Sequence, residues 1–169
     1  MPADDVTFRS SMRLLAGGVT IVASAFEGKR SGLTATAVCS LALAPPRILA
    51  SINVQGNTYQ IATRSRCMSV NLLAKDHEQL AERFAAKRAA VEEDRFVDGE
   101  WRERVTGAPV LADALAALDC RVTDIIPLDT HAILIGVVED VLFGPHRLPL
   151  IHFEAGYTSV LVPRSGSEP

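Results

Sequence analysis

Gly32-Leu33-Thr34-Ala35-Thr36-Ala37-Val38-Cys39-Ser40, followed by Ile48-Leu49-Ala50-Ser51-Ile52-Asn53, is the part of the chain that decides the fold. Successive side chains of an extended strand point to opposite faces. Thr34, Thr36, Val38 and Ser40 therefore share one face of the first stretch, and Leu33, Ala35, Ala37 and Cys39 share the other. The second stretch repeats the pattern, with Ser51 and Asn53 on one face and Ile52 opposite. A buried hydroxyl or amide without a partner costs roughly 1–3 kcal/mol. Two neighbouring strands that carry such groups in an apolar context predict a polar ligand lying against them.

Outward from this pair, Val19 to Ala25 is rich in strand formers, Glu27-Gly28-Lys29 is a turn, and Leu33 to Leu43 is the returning strand, ended by Pro45 and Pro46. Ahead of it, Asp4 or Asp5 can cap a helix with Phe8, Met12 and Leu15 on one face and Gly17-Gly18 as its stop. Asn57 with Gln60 forms a capping-box pattern for a short helix whose free amides could face an anion. Met68 to Leu73 is a further strand. Asp76 with Gln79 repeats the capping signal before a helix with His77, Leu80, Ala81 and Phe84 on its apolar stripe. Lys87 to Arg104, with Trp101, reads as a charged surface link to Pro109-Val110-Leu111. Leu118, Cys120 and Val122 alternate with polar residues as in a half-exposed strand, whereas Ala132 to Val138 is apolar on both faces and should be deeply buried. The turn Pro127 to His131 joins them, and Leu148–Phe153 and Tyr157–Val162 make a last strand pair around Gly156. Many antiparallel strands and few helices predict a mainly β fold, a small barrel with peripheral helices. A chain of 169 residues fits one domain, here residues 1–163, with 164–169 as a flexible tail.

Composition excludes several function classes. The 17 basic and 20 acidic residues are well mixed, and no basic stripe suggests a nucleic-acid partner. Cys39, Cys67 and Cys120 are odd in number and lack metal-site spacing, as expected for free, mostly buried thiols in a reducing cytosol. The N-terminus MPADDVTF has no cationic, hydrophobic leader, so a cytoplasmic protein is expected. Prolines and Arg47 interrupt the longest apolar run, which rules against a membrane span. No GxGxxG or GxxxxGK[ST] motif offers a dinucleotide or P-loop site. His77-Glu78 lacks the second histidine of a zinc-protease helix, Ala81 standing in its place, and His146 and His152 are too far apart for one helical face and have no cysteine or acidic cluster beside them. No metal site is expected. Nor is there a GxSxG elbow for a hydrolase.

The segments FRSSMRLLAGGVTIVAS, GLTATAVCSLALAPPRILASIN, NTYQIA, SVNLLAKDHEQLAERFA, RF, TGAPVL, DTHAILIGVV and PLIHFEAGY, in this order, resemble the flavin reductase family with an FMN-binding split barrel. The resemblance runs from Phe8 to Tyr157 and is strongest to the small reductase components of two-component aromatic monooxygenases, such as the 4-hydroxyphenylacetate 3-monooxygenase system. A corrinoid reductase is also similar.

That resemblance implies a homodimer of six-stranded antiparallel, Greek-key-type split barrels with FMN or FAD held near the subunit interface. It implies that Thr34, Ala35, Thr36 and Ser40 contact the flavin, that Ser51, Ile52 and Asn53 line its ring, and that Asn57 and Thr58 lie near its phosphate. A late-strand signature of the family corresponds to Asp129-Thr130-His131, with the leading glycine replaced by Asp129. His131 is then the residue assigned to catalysis, as a group that positions NADH or NADPH for hydride transfer. Tyr157 is expected beside the same nucleotide, and Phe153 in the core. Arg83 and Arg88 are read as solvated helix charges. The implied activity is an NAD(P)H:flavin oxidoreductase that supplies reduced flavin to a separate oxygenase. Two other readings stay open: a tightly flavin-bound reductase of a corrinoid or other one-electron acceptor, and a flavin-binding module without turnover.

Overall fold

The computed structural model describes residues 1–86 and 92–161. In chain order they form α1 (Asp5–Arg13), β1 (Gly17–Gly18), β2 (Thr20–Phe26), β3 (Lys29–Ala35), β4 (Val38–Leu43), β5 (Pro46–Asn53), α2 (Asn57–Ser65), β6 (Cys67–Leu72), α3 (Glu78–Ala85), β7 (Trp101–Glu103), β8 (Pro109–Leu111), β9 (Ala116–Pro127), β10 (His131–Phe143), β11 (Ile151–Phe153) and β12 (Gly156–Thr158). Arg88, Val162 and the expected tail 164–169 lie outside the described residues.

Seven strands make one antiparallel sheet in the order β3-β2-β6-β9-β10-β5-β4. Its two edges, β3 and β4, are consecutive in the chain and joined by Thr36 and Ala37. The sheet therefore curls until its ends meet at this bend, and the Ser51 N–H donates to the Ala37 carbonyl at 2.9 Å beside it. No β3–β4 ladder forms among the described residues, so the barrel is split at this seam. The expected single strand Leu33–Leu43 is thus two strands, and six expected strands become seven. Alternation of side chains cannot report the bend, because small residues on both sides of it fit either geometry. Pro46 opens β5 rather than only ending its predecessor, and the Ala44–Pro45 peptide is cis.

The remaining strands form small sheets at the barrel's rim. Gly17–Gly18, β11 and β12 make a three-stranded sheet in which Gly17 pairs with His152 and His152 with Tyr157. Gly156 lies in β12, and the turn itself is made by Glu154 and Ala155, both at positive φ. The link from Glu92 to Leu111 is less superficial than its charge suggests. Trp101 packs against Phe84 and Phe96, whose rings meet edge-on at 5.0 Å, and β8 is buried throughout. Asp119, read as an outward residue of a half-exposed strand, is buried and accepts from the Thr106 N–H at 2.8 Å and from its hydroxyl.

Capping also differs in detail. Asp4 caps α1 through the Val6 and Thr7 amides, both at 3.0 Å, yet no residue of that helix is buried. Gly56, not Asn57, is the N-cap of α2, and no side chain caps it. Asp76 pairs with Arg147 at 2.6 Å instead of capping α3. On β10, Ala132, Leu134 and Gly136 are buried while Ile133, Ile135 and Val137 are only half-buried. Its outer face is only partly covered among the described residues, which corrects the expectation of burial on both sides.

Inside the barrel, Val22, Ile52, Met68, Val70, Val122 and Leu134 form the core. Gly136 sits at a register shift between β9 and β10, where a Cβ would lie 2.8 Å from Met68 Cε and 3.0 Å from Cys120 Cβ. Met68 can yield, but Cys120 Cβ is fixed to the neighbouring strand. Gly136→Ala is expected to cost about 1–3 kcal/mol through overpacking, read as a lowered urea midpoint with an unchanged slope.

Candidate functional site

Cavities open on three sides of the Thr34–Ala37 bend. The first, about 640 Å³, is walled by Leu33–Ala37 on one side, Ser51–Asn53, Gln55 and Gly56 on another, and closed by Phe84–Ala86, Arg95 and His131. It brings together seven residues singled out from the sequence: Thr34, Ala35, Thr36, Ser51, Ile52, Asn53 and His131. A smaller recess of about 210 Å³ shares Thr34, Ala35, Thr36 and Ala85 with it and is closed by Val19, His152 and Tyr157. The third, about 860 Å³, lies between α1 and the Thr36–Ser40 segment.

The other expected contacts fall elsewhere. Ser40 follows the bend and opens only on the third cavity. Asn57 faces a separate cavity of about 480 Å³ with Arg64 and Glu92. Thr58 is 3% exposed and shares its hydroxyl with Ser31 at 2.9 Å. Cys39 is exposed on the third cavity, whereas Cys67 and Cys120 are buried and burial pushes the Cys120 thiol up to about 12. Phe153 is 38% exposed, so the core placement expected for it is not realised.

Within the first cavity the hydroxyls are not equivalent. Thr34 donates to the Ala81 carbonyl of α3 at 2.6 Å, which fixes the end of that helix over β3. Thr36 is exposed and makes no hydrogen bond among the described residues, and the half-buried Ser51 hydroxyl is likewise unengaged. Asn53 Oδ1 accepts from the Gln55 N–H at 2.8 Å and shapes the turn into α2. His131 pairs with Asn53 across β10 and β5, and its Nδ1 lies 2.9 Å from the Thr130 hydroxyl. The Val54 N–H holds the same turn through the Thr130 carbonyl at 3.1 Å. In the recess, burial and then Glu82 and Glu78 push the Tyr157 hydroxyl above its ordinary range. It therefore stays protonated and able to donate at neutral pH.

Arg95 and His152 are cavity residues that the sequence did not single out. Arg95 lay in a charged stretch that reads as surface, and His152 in an aromatic block that reads as strand. Arg95 is 7% exposed, and its guanidinium donates to the carbonyls of Gly32 at 2.9 Å, Phe84 at 3.2 Å and Ala86 at 2.7 Å. Its Nε is buried and has no partner among the described residues. Gly32 also lets the Phe84 ring pack against β3, since a Cβ there would stand 2.7 Å from that ring. No group of three or more metal-ligating side chains occurs among the described residues.

This donor set fits a flavin. Free hydroxyls and amide-bearing backbone line an elongated cleft, Ile52 gives it an apolar floor, and a buried cation stands beside the uncapped start of α2, where backbone N–H groups favour an anion.

A sequence model of the flavin reductase like domain matches residues 12–161. FMN reductase (NADH) RutF 1 of Methylorubrum extorquens is 38% identical over 170 residues, covering 100% of this chain and 84% of that protein. Among solved structures, flavin reductase PheA2 is 30% identical with a TM-score of 0.83, covering 95% of this chain and 100% of the other. Nitrilotriacetate monooxygenase component B from Mycobacterium thermoresistibile is 26% identical with a TM-score of 0.85, covering 98% and 96%. The chain belongs to the flavin reductase like family; it is a flavin reductase, an oxidoreductase with the family's split barrel.

Proposed function

We propose that this flavin reductase oxidises NADH with FMN bound in the cleft between Thr34–Thr36 and Ser51–Asn53, and passes the reduced flavin to a separate oxygenase. The observation that carries it is the convergence of seven sequence-derived residues on one cavity of about 640 Å³. FMN and NADH are the pair for which the 38%-identical relative is named, and component B of a nitrilotriacetate monooxygenase shares the fold and 26% of the sequence. When bound, the flavin supplies an acceptor for the hydride leaving C4 of the dihydronicotinamide, with two electrons moving together.

The chain's own residues bind and orient. Thr36 and Ser51 offer unengaged hydroxyls, Ala35 and Ile52 give apolar contact, and Asn53 sets the turn that brings Gly56 to the cleft. His131 positions the nicotinamide amide or a neighbouring phosphate through the ring nitrogen that Thr130 leaves free. Tyr157 donates from the adjoining recess, across the wall of small residues that both cavities share. Ser40 and Asn57 would meet the flavin only at its margins.

We also infer a homodimer. Ile133, Ile135 and Val137 of β10, with Leu49 of β5, form an outer apolar face that is only half-buried, and Ser51 of the cleft belongs to the same face. α1 adds the exposed Phe8 and Met12, and the segment after it Leu15, beside the third cavity. Contiguous apolar surface of this kind marks an interface, and an assembly with its own copy would cover the face and wall the cleft. No helix among the described residues is long and apolar enough to cross a membrane. With three free cysteines, this supports a cytoplasmic setting.

Three measurements test these readings. NADH oxidation by the purified protein should rise with added FMN, and oxidation at the rate without protein, for either nicotinamide nucleotide and either FMN or FAD, would sink the assignment. His131→Ala should raise KM for NADH about tenfold while changing FMN affinity less than twofold; unchanged kinetics would remove its role. Sedimentation equilibrium should give twice the chain mass of 18.2 kDa, whereas a monomer at micromolar concentration would refute the dimer.

A further inference from the structure

Glu92 sits where β3, α2 and the Arg95 guanidinium meet. Its Oε2 accepts from the Ser31 hydroxyl at 2.9 Å, and its Oε1 accepts from Asn57 Nδ2 at 3.2 Å and lies 3.8 Å from Arg95 Nη2. Among the described residues it is the one carboxylate within 4 Å of Arg95. The other partners of that guanidinium are three backbone carbonyls, which orient it without cancelling its charge, and Nε has none. Arg95 and Gly56, the uncapped start of α2, line the same cleft. The first amides of a helix have no intrahelical acceptor and carry positive partial charge. Glu92 and Asn57 line the neighbouring cavity of about 480 Å³, so Glu92 stands between that cavity and the cleft, joined to Arg95 on one side and to Ser31 and Asn57 on the other. The anion placed there belongs to the chain itself.

We propose that Glu92 is a resident competitor for the flavin phosphate: its carboxylate holds the anion corner formed by Arg95, Ser31, Asn57 and the first turn of α2, and phosphate binding displaces it. This rests on the reading of the cleft as the flavin site. A phosphate that enters beside Glu92 meets a like charge, and one that replaces it inherits the Ser31 and Asn57 donors as well as Arg95. Either way, the affinity for phosphorylated flavin is set below what the donors alone would give. That suits a protein that must release its flavin after reducing it. A flavin without phosphate does not sense the exchange.

The test compares dissociation constants for FMN and riboflavin, read from flavin fluorescence, in the unaltered protein, in Glu92→Gln and in Arg95→Met. Gln keeps the size and the hydrogen-bonding reach of Glu but not its charge. Glu92→Gln should tighten FMN about three- to tenfold and move riboflavin less than twofold, and the gain should shrink as ionic strength rises. Arg95→Met should weaken FMN about tenfold with little change for riboflavin. If the loss of a buried guanidinium prevents folding, Glu92→Gln decides alone. Equal shifts for both flavins, or weaker FMN binding in Glu92→Gln, would show that Glu92 only latches its turn onto β3 and α2, and would overturn the proposal. An unaltered protein that binds neither flavin would overturn the assignment of the cleft itself, and with it the role of Glu92.

Discussion

The structure depends on a covalent constraint, namely that the chain itself joins the two edges of its main sheet. Edge strands expose unpaired backbone groups, and a curled sheet normally removes them by pairing its ends. Here β3 runs into β4 through Thr36 and Ala37, so the ends are tied by two residues rather than by a ladder. The bond from Ser51 N–H to the Ala37 carbonyl satisfies one group that the bend frees. Other elements then settle around the seam. Gly17 brings the small sheet against it, since a Cβ there would lie 3.2 Å from Thr36 Cβ, and Thr34 ties α3 to its other side. A seam that cannot close as a ladder leaves clefts, and cavities open on its flanks.

Much of this was legible in the sequence, though not always for the reason the pattern suggested. Thr34, Thr36, Ser51 and Asn53 were picked out because hydroxyls and amides looked costly in apolar strands. They do meet at one cleft, yet Thr34 spends its hydroxyl on a helix carbonyl, and Ser51 and Asn53 stand on the outer face of β5. Alternation holds only while a strand is straight, so Ser40, beyond the bend, turns to a different cavity. The start of α2 was placed one residue late because Asn and Gly both serve as N-caps and only the backbone decides between them. Arg95 could not be read at all. Its burial depends on carbonyls from Gly32, Phe84 and Ala86, contributed by segments far apart in sequence.

The apolar run of β10 is instructive in a different way. Apolar residues on both faces of a strand do not mean that both faces are buried within the chain. Ala132 and Leu134 point into the barrel, while Ile133, Ile135 and Val137 are left half-open next to Leu49 and Ser51. Covering that face and enclosing the cleft are therefore one problem, because Ser51 belongs to both. Sequence periodicity has no means of distinguishing an apolar face packed inside the barrel from one left half-open on its outside.

Hydride transfer between two planar rings requires them to stack in direct contact, with nothing between donor and acceptor atoms, so the residues that border the stack must be short. The cleft with Arg95 and His131, and the recess with His152 and Tyr157, have Thr34, Ala35, Thr36 and Ala85 in common. Each is small, and the backbone around them is fixed by the Thr34 hydroxyl on the Ala81 carbonyl and by the packing of the Phe84 ring against Gly32. The seam thus performs two tasks with the same residues. It ties the sheet, for which it needs short side chains that tolerate a bend, and it borders both the cleft and the recess without filling either, for which it needs the same short side chains. The composition that made this stretch conspicuous, Thr and Ala in alternation, is the one that both tasks select.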